Sequence, residues 1–462
     1  MALVPGRPVL ADHTRGGSAV RYDSITDAIG NTPLVRIDPA VHGLSNIDLY
    51  AKLELLNPFG SVKDRAAWNM ARPHLTAAAS APAGEGGQVV ELSSGNTAKA
   101  LAVLAGMHGL TFKSVTNRMR IPEIKDLLLL LGAEIEELPG QSECLDPTAT
   151  DDPLTLFHRT LSEPDSTYLH TDQYFNPRNT EAHFTGTGPE IVKDLDGRAP
   201  DWFIACVGTA GSSTGVARAL REHDPAVQVV GLVAAKSDFV PGIRTIDEAH
   251  EVGLFDPGTY DTIESVTADE AIEGMLALNR RCGILAGPTG GAAYFGAVRE
   301  LQPIDKELTE RQSAVFIVCD RVESYLSYVR QRRPDLFGRP RRRNSPADLT
   351  DAEIRTAPAI GVADAQTWIG TGEPLVVDLR GPYAYAALHI DGSVNIVDEL
   401  FEELLHGGLP FSRSRPVLLA CPVGEKSARY AALLTRLGHP DVRSLTGGII
   451  AWRDAGAPLV RD

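Results

Sequence analysis

Twice in this chain a short β-branched run stops at a glycine- or serine-rich loop that opens at once into an alanine-rich stretch. Val89-Val90-Glu91-Leu92 leads through Ser93–Gly95 into Asn96–Gly106, and Phe203–Val207 leads through a second small-residue loop into Thr214–Glu222. Strand–loop–helix units of this kind predict parallel sheets covered by helices on both faces, an α/β fold. The alternation runs from Tyr22 to about Arg332 and assigns residues 21–332 to one domain. The segment RRPDLFGRPRRRNSPADLTDAEI then breaks every period with proline and clustered arginine, which marks 333–350 as a linker. Its basic run has a second reading, a docking strip for an acidic surface. Beyond it, Leu375–Asp378, Val417–Ala420 and Val442–Leu445 are predicted strands, with helical segments such as Ser427–Leu437 between them. Residues 351–462 therefore form a second, smaller α/β domain. Residues 1–20 carry no periodicity and are expected to be a mobile arm.

Composition narrows the partners. The 462 residues carry a formal charge of −16, which would repel nucleic acid and anionic lipid and leaves small molecules as the expected partners. The longest leucine run, Leu127–Leu131, is far below the roughly 18 residues needed to cross a bilayer. The N-terminal segment has no apolar signal core, so a cytoplasmic location is expected. Cys144, Cys206, Cys282, Cys319 and Cys421 are scattered without metal-ligand spacing. Neither a disulfide framework nor a metal site is predicted, and a reducing compartment fits.

Four motifs carry chemistry. In NPFGSVKDR (Asn57–Arg65), Lys63 lies just beyond a Pro/Gly turn at the start of a predicted helix, Asp64–Met70, where helix-end charge disfavours its ammonium form. A neutral amine there can form a Schiff base. In SSGNT (Ser93–Thr97), small residues let backbone N–H groups converge on an anion at a helix N-terminus, although Ser and Asn also serve as ordinary caps. GTAGSSTG (Gly208–Gly215) follows a strand and opens a helix, and Gly208, Thr209, Gly211 and Ser212 could surround a phosphate. It lacks the lysine of a nucleotide P-loop, which favours a phosphate monoester. AGPTGGAA (Ala286–Ala293) sets Thr289 in a constrained turn before another helix.

In this order the motifs resemble the pyridoxal-phosphate enzymes of the cysteine synthase type, the O-acetylserine sulfhydrylases of fold type II. The resemblance runs from Tyr22 to Tyr325 and includes NTPLVR (Asn31–Arg36) and QYFNPRNTEAHFTGTGPEI (Gln173–Ile191). It implies two parallel-sheet subdomains, pyridoxal 5′-phosphate as cofactor, and a homodimer. By the same resemblance Lys63 is the lysine that holds the cofactor as a Schiff base, and Asn96 stands beside the cofactor 3′-oxygen. Gly208, Thr209, Ala210, Gly211 and Ser212 form the phosphate cup, and Thr289 meets the pyridine nitrogen. Ser93, Ser94, Thr97 and Gln173 are assigned to the substrate carboxylate. A neutral hydroxyl opposite the pyridine nitrogen favours β-elimination, to an α-aminoacrylate, over transamination. Ala98-Lys99 departs from the family pattern, as does VVGLVAAKSD, where the usual Glu-Pro is missing, and Ala234–Gly242 is short.

Near the end of the chain Cys421 closes a predicted strand, a glycine turn follows, and a helix begins near Ser427. A thiol ringed by backbone N–H groups at a helix N-terminus and close to Lys426 is favoured as thiolate and as a nucleophile, whereas a cysteine buried by packing alone needs no such turn. VVDLR (Val376–Arg380), HIDGSVNI (His389–Ile396), CPVGEKS and LTGGIIAWRDAGAPL (Leu445–Leu459) resemble a single rhodanese-like domain over Asp351–Asp462. That resemblance implies a persulfide on Cys421, held by the loop Cys421, Pro422, Val423, Gly424, Glu425 and Lys426. The combined expectation is β-replacement on O-acetylserine or O-phosphoserine, with sulfur from an external donor carried by Cys421, giving cysteine or a related β-thio amino acid. Two alternatives use the same residues: a cysteine lyase that passes sulfur to the second domain, and a 2,3-diaminopropionate-type synthase with an amine nucleophile.

Overall fold

The computed structural model describes residues 21–461 except 80–86, 117–118, 139–155, 158–160, 162–167, 237, 251, 339–345, 347–348 and 407. The expected N-terminal arm and the basic run of the linker lie outside the described residues, as does Cys144.

Three sheets are present among the described residues. The first has six strands in the order β1-β2-β10-β7-β8-β9. These are β1 (Leu34–Arg36), β2 (Ile47–Lys52), β7 (Trp202–Cys206), β8 (Gln228–Ala234), β9 (Thr262–Val266) and β10 (Gln312–Ile317). The second has four, in the order β5-β4-β3-β6, from β3 (Gln88–Leu92), β4 (Phe112–Thr116), β5 (Glu134–Glu137) and β6 (Tyr168–His170). The third has five, in the order β11-β15-β14-β12-β13. Its strands are β11 (Ala359–Ile360), β12 (Leu375–Asp378), β13 (Val394–Asn395), β14 (Val417–Ala420) and β15 (Val442–Leu445).

Among these strands every pairing is parallel, as expected, except for the short edge pair β1 with β2, which is antiparallel. Residues 37–46 between these two are too few for a crossover, which takes a dozen or more. Central strands are apolar on both faces because helices cover both: β8 is buried from Val229 to Ala234, and β14 throughout.

Alanine explains how the helices sit so close. Helix α2 (Asn96–Met107) buries Ala98, Ala100, Ala102 and Ala105 together with Leu101 and Leu104, so nearly its whole girth is packed. Small side chains let it lie against its sheet and against α1 (Lys63–Ala79). The carboxyl ends of β3 and β7 then face one cleft between the first two sheets, the usual place for a ligand in open parallel sheets. Cys421 follows β14, in the middle of the third sheet, at the equivalent end. Among the described residues no helix is long and apolar enough to cross a bilayer.

A buried charge network fixes the start of α1. Arg65 donates to both Glu54 oxygens at 2.7 and 2.8 Å and to both Glu190 oxygens at 2.7 Å. Lys52 reaches Glu190 Oε2 at 3.0 Å, and the Thr32 hydroxyl donates to Glu54 at 2.6 Å. Burial alone would raise the Glu190 pKa, but the Arg65 guanidinium holds it at about 2. Beside this network His183 opens a π-helical turn, His183–Thr187, and burial pushes its pKa down to about 3.

His183 gives the fold a defined pH dependence. Its folded value lies below the ordinary 6.5, so the unfolded chain binds the extra proton first. The stability is intact above pH 6.5 and is lost as pH falls from there towards 3, at about 2 kcal/mol by pH 5. Thermal melts of the wild type should therefore drop between pH 7 and 5. His183→Gln, which keeps a partner for Thr187, should flatten that decline, and equal slopes in the two proteins would remove His183 as its cause.

Candidate active site

Lys63 is the first residue of α1, placed there by the Asn57–Val62 turn, in which Asp64 accepts from Phe59 N at 2.6 Å and from Ser61 Oγ at 3.1 Å. The observed helix begins one residue earlier than expected and runs on to Ala79. Lys63 Nζ points across the cleft to Thr209 Oγ1 at 3.3 Å, and burial lowers its pKa, with Arg244 pushing the same way. The two motifs, 146 residues apart, thus meet at one amine.

The Ser93–Thr97 loop forms the opposite wall. Gly95 caps α2, and Ser93 Oγ accepts from Gly95 N and Ala98 N, both at 3.3 Å. Thr97 donates to Gln173 Oε1 at 2.7 Å while Gln173 Nε2 holds Leu92 O at 2.9 Å. Ser93, Ser94, Thr97 and Gln173 therefore come together at a helix N-terminus, where unpaired N–H groups attract an anion. Asn96 donates to Asp320 Oδ2 at 2.7 Å and to Tyr325 OH at 3.0 Å. Its buried Oδ1 is left without a partner among the described residues.

The third loop is held by close backbone contacts. Helix α3 begins at Gly211 and runs to His223, three residues earlier than expected, so its first-turn N–H groups have no carbonyl a turn behind them. Gly208 and Thr209 line the cleft, whereas Ala210, Gly211 and Ser212 are not among its lining residues. Ala210 holds a left-handed φ of +58°, unusual for a residue with a Cβ. A Cβ on Gly208 would lie 2.5 Å from Gly242 O, and one on Gly211 would lie 2.0 Å from Asn179 Oδ1. Neither glycine tolerates a side chain. Thr289 is buried in the first turn of α4 (Pro288–Asp305), not in a turn before it, because Pro288 is well suited to the first helical position. Its hydroxyl donates to Pro241 O at 2.6 Å.

One cavity of about 920 Å³ is lined by Lys63, Ser93–Thr97, Gln173, Gly208 and Thr209. Several residues at or beside this cavity were given no role by the sequence motifs. Asp320 and Tyr325 follow the last strand of the first sheet and hydrogen-bond to each other, and burial raises the pKa of both. It thereby favours the neutral acid at Asp320 and the neutral phenol at Tyr325. Lys99, on α2, is also buried, and desolvation lowers its pKa against the pull of Asp320 and Asp64. Arg244, Arg120 and Phe239 complete the rim, with the Arg120 guanidinium 4.2 Å from the Phe239 ring centre.

The second site lies on the third sheet. Cys421 is 1% exposed, and its Sγ accepts from Gly424 N at 3.1 Å and Ser427 N at 3.4 Å. Gly424 takes φ +89°, and a Cβ there would meet Gly447 N at 2.8 Å. The helix that follows, Glu425–Arg436, starts two residues before the expected Ser427. Pro422 and Gly424 frame the thiol while Val423 is exposed. Lys426 does not lean on the sulfur as expected from its nearness in sequence. Its Nζ pairs at 2.7 Å with Asp398 Oδ2, on α5 (Asp398–His406), and both residues line the cavity that holds Lys63. The Glu425–Arg436 helix is α6.

A pyridoxal-phosphate dependent enzyme family model matches residues 25–320, and a rhodanese-like domain model matches residues 362–455. The chain belongs to the pyridoxal-phosphate dependent enzymes. It is 36% identical over 308 residues to cysteine synthase B of Pseudomonas aeruginosa, a match covering 67% of this chain and 97% of that protein. The crystal structure of an O-acetylserine dependent cystathionine beta-synthase from Helicobacter pylori is similar with a TM-score of 0.56 and 27% identity, over 67% of this chain and 98% of that one. A hydrogen sulfide-producing enzyme from Fusobacterium nucleatum is similar with a TM-score of 0.57 and 27% identity, over 66% and 100%. The fold is therefore type II, two parallel-sheet subdomains followed by a small rhodanese-like α/β domain. The protein is a cysteine-synthase-like enzyme whose cofactor is pyridoxal 5′-phosphate. The residues present suit that group: a partly buried lysine, an amide oxygen on the same cleft with no partner among the described residues, and two glycines, Gly208 and Gly211, whose surroundings leave no room for a Cβ.

Proposed function

We propose that this enzyme carries out β-replacement on an activated serine, O-acetylserine or O-phosphoserine, using sulfur brought by Cys421. One observation carries the reading: Lys426, Asp398 and Glu402 of the second domain line the same cavity as Lys63 and the Ser93–Thr97 loop. The helix that follows the Cys421 loop borders this cleft through Lys426, which supports delivery of sulfur from that loop.

In this reading Gly208, Thr209, Ala210, Gly211 and Ser212 hold the cofactor phosphate, and Asn96 Oδ1 meets its ring hydroxyl. Thr289 stands at the pyridine nitrogen. Bound there, the cofactor supplies an electron sink that acidifies the substrate Cα–H and lets the β-substituent leave. Ser93, Ser94, Thr97 and Gln173 bind the substrate carboxylate at the N-terminus of α2 and so orient the Cα–H bond. Lys63, whose burial favours the neutral amine, removes the Cα proton and later returns it. Residues 21–332 and 351–462 act as the two domains, with an external sulfur donor, in a reducing cytoplasm and as a homodimer. The similarity to a hydrogen sulfide-producing enzyme supports the reverse elimination as a second reading.

The test is to incubate the holoenzyme with O-acetylserine, O-phosphoserine, serine or cysteine, with and without sulfide, and quantify products. Cysteine formation from an activated serine is expected. Sulfide release from cysteine, with no synthesis in any mixture, would favour the second reading, and a product containing an added amine would replace both.

A further inference from the structure

The second domain roofs the cleft through complementary charges. Lys236 Nζ lies 3.3 Å from Glu425 Oε1, and Arg429 Nη2 donates to Lys236 O at 3.3 Å. Arg332, paired with Asp238 at 2.9 Å, also feels the charge of Glu402 on α5. Thus the cleft rim offers Lys236 and Arg332, and the second domain answers with Glu425 and Glu402.

The segment that Lys236 begins is also a wall of the cofactor site. Its Pro241 carbonyl accepts from Thr289, Gly242 backs Gly208, and Arg244 N donates to Val207 O at 2.9 Å. Glu425 opens α6, the helix that caps the Cys421 loop. An ion pair therefore joins the rim of one site to the helix that follows the loop of the other.

We propose that this docked arrangement is the state in which sulfur is handed over, and that hand-over leaves the amino acid attached to Cys421 as a mixed disulfide; this rests on the carrier reading above. The Cys421 thiolate first attacks the outer sulfur of thiosulfate, forming an S–S bond while sulfite departs with the electron pair. The terminal sulfur stands one S–S bond, about 2 Å, beyond Sγ, which matters because Cys421 itself is buried behind the loop. That sulfur forms a C–S bond to the substrate β-carbon as acetate or phosphate leaves with its electrons, and the Cα proton taken by Lys63 is returned. The result is Cys421–S–S–CH2–, still a disulfide. Two equivalents of a low-molecular-weight thiol then reduce it, giving cysteine, the Cys421 thiol and the oxidised thiol.

The test uses full-length holoenzyme with thiosulfate and whichever activated serine it consumes, without thiol, followed by intact mass and peptide mapping. One cysteinyl group in disulfide linkage to Cys421 is expected, and turnover should stop there until dithiothreitol is added. Lys236→Glu and Glu425→Lys should each slow formation of this adduct by roughly threefold or more, taken as a ratio to sulfide-dependent turnover in the same variant. The double exchange should restore it. Free cysteine made continuously without thiol would overturn the covalent link, and ratios unchanged by both reversals would overturn the docked state. Cys421→Ser run in parallel separates these failures from failure of the carrier reading, because only the latter leaves thiosulfate-dependent turnover intact.

Discussion

With Lys63 replaced by alanine, the enzyme is expected to lose borohydride-reducible attachment of its cofactor and at least roughly 10³-fold of its β-replacement rate. Two separate duties fall on the same amine. In the proposed reaction it is both the nucleophile that holds the cofactor and the base, and its Nζ lies 3.3 Å from Thr209 Oγ1 in the cleft. Burial depresses its pKa, so at neutral pH more of it is available as the free amine than of an exposed lysine. Lys99 is the alternative to be eliminated, since it too is buried near Asn96 and has a lowered pKa. Lys99, however, interacts with Asp320 and Asp64, and an added Cβ on Gly60 would be 3.8 Å from its Nζ, on the turn that leads to Lys63. Reduction and peptide mapping should label Lys63 in the wild type, and label on Lys99 would overturn the assignment.

Cys421→Ser should divide the activity in two. Cysteine formation from free sulfide should stay within about twofold of wild type, because Lys63, Thr97 and Gln173 lie outside the Cys421 loop. Formation from thiosulfate should fall to background, since a serine hydroxyl at the end of β14 can take up no sulfane sulfur even though Gly424 N and Ser427 N remain to receive an anion. Parallel assays with the two sulfur sources measure the split. Equal thiosulfate-dependent rates in the two proteins would leave the rhodanese-like domain without a carrier role.

Much of the scaffold was legible because its strands are short, β-branched and bounded by turn residues. The strands β12, β14 and β15 coincide with Leu375–Asp378, Val417–Ala420 and Val442–Leu445. The helix starts were read late at Gly211 and Glu425. Before Gly211 and Glu425 stand loop residues in the left-handed region, Ala210 and Gly424, and the helix begins directly after each; at Gly211 the weak helix formers Gly-Ser-Ser hid the first turn, and at Glu425 the preceding glycine turn was extended too far. Contacts between distant segments were not legible. Asn96 meets Asp320 and Tyr325 across more than two hundred residues, and nothing local in C-D-R or S-Y-L announces it. Lys426 illustrates the opposite error: sequence proximity placed it at the sulfur, whereas Asp398 draws it into the cleft.

The left-handed backbone at Ala210 has a consequence for affinity. A residue with a Cβ in that conformation costs about 1–2 kcal/mol, a strain that glycine would escape. The cost is met once, on folding, by the packing of β7 and α3 on either side of it. In the proposed cofactor site, a loop already held in this shape needs little ordering when a phosphate binds, so more of the binding energy remains to retain the cofactor between turnovers.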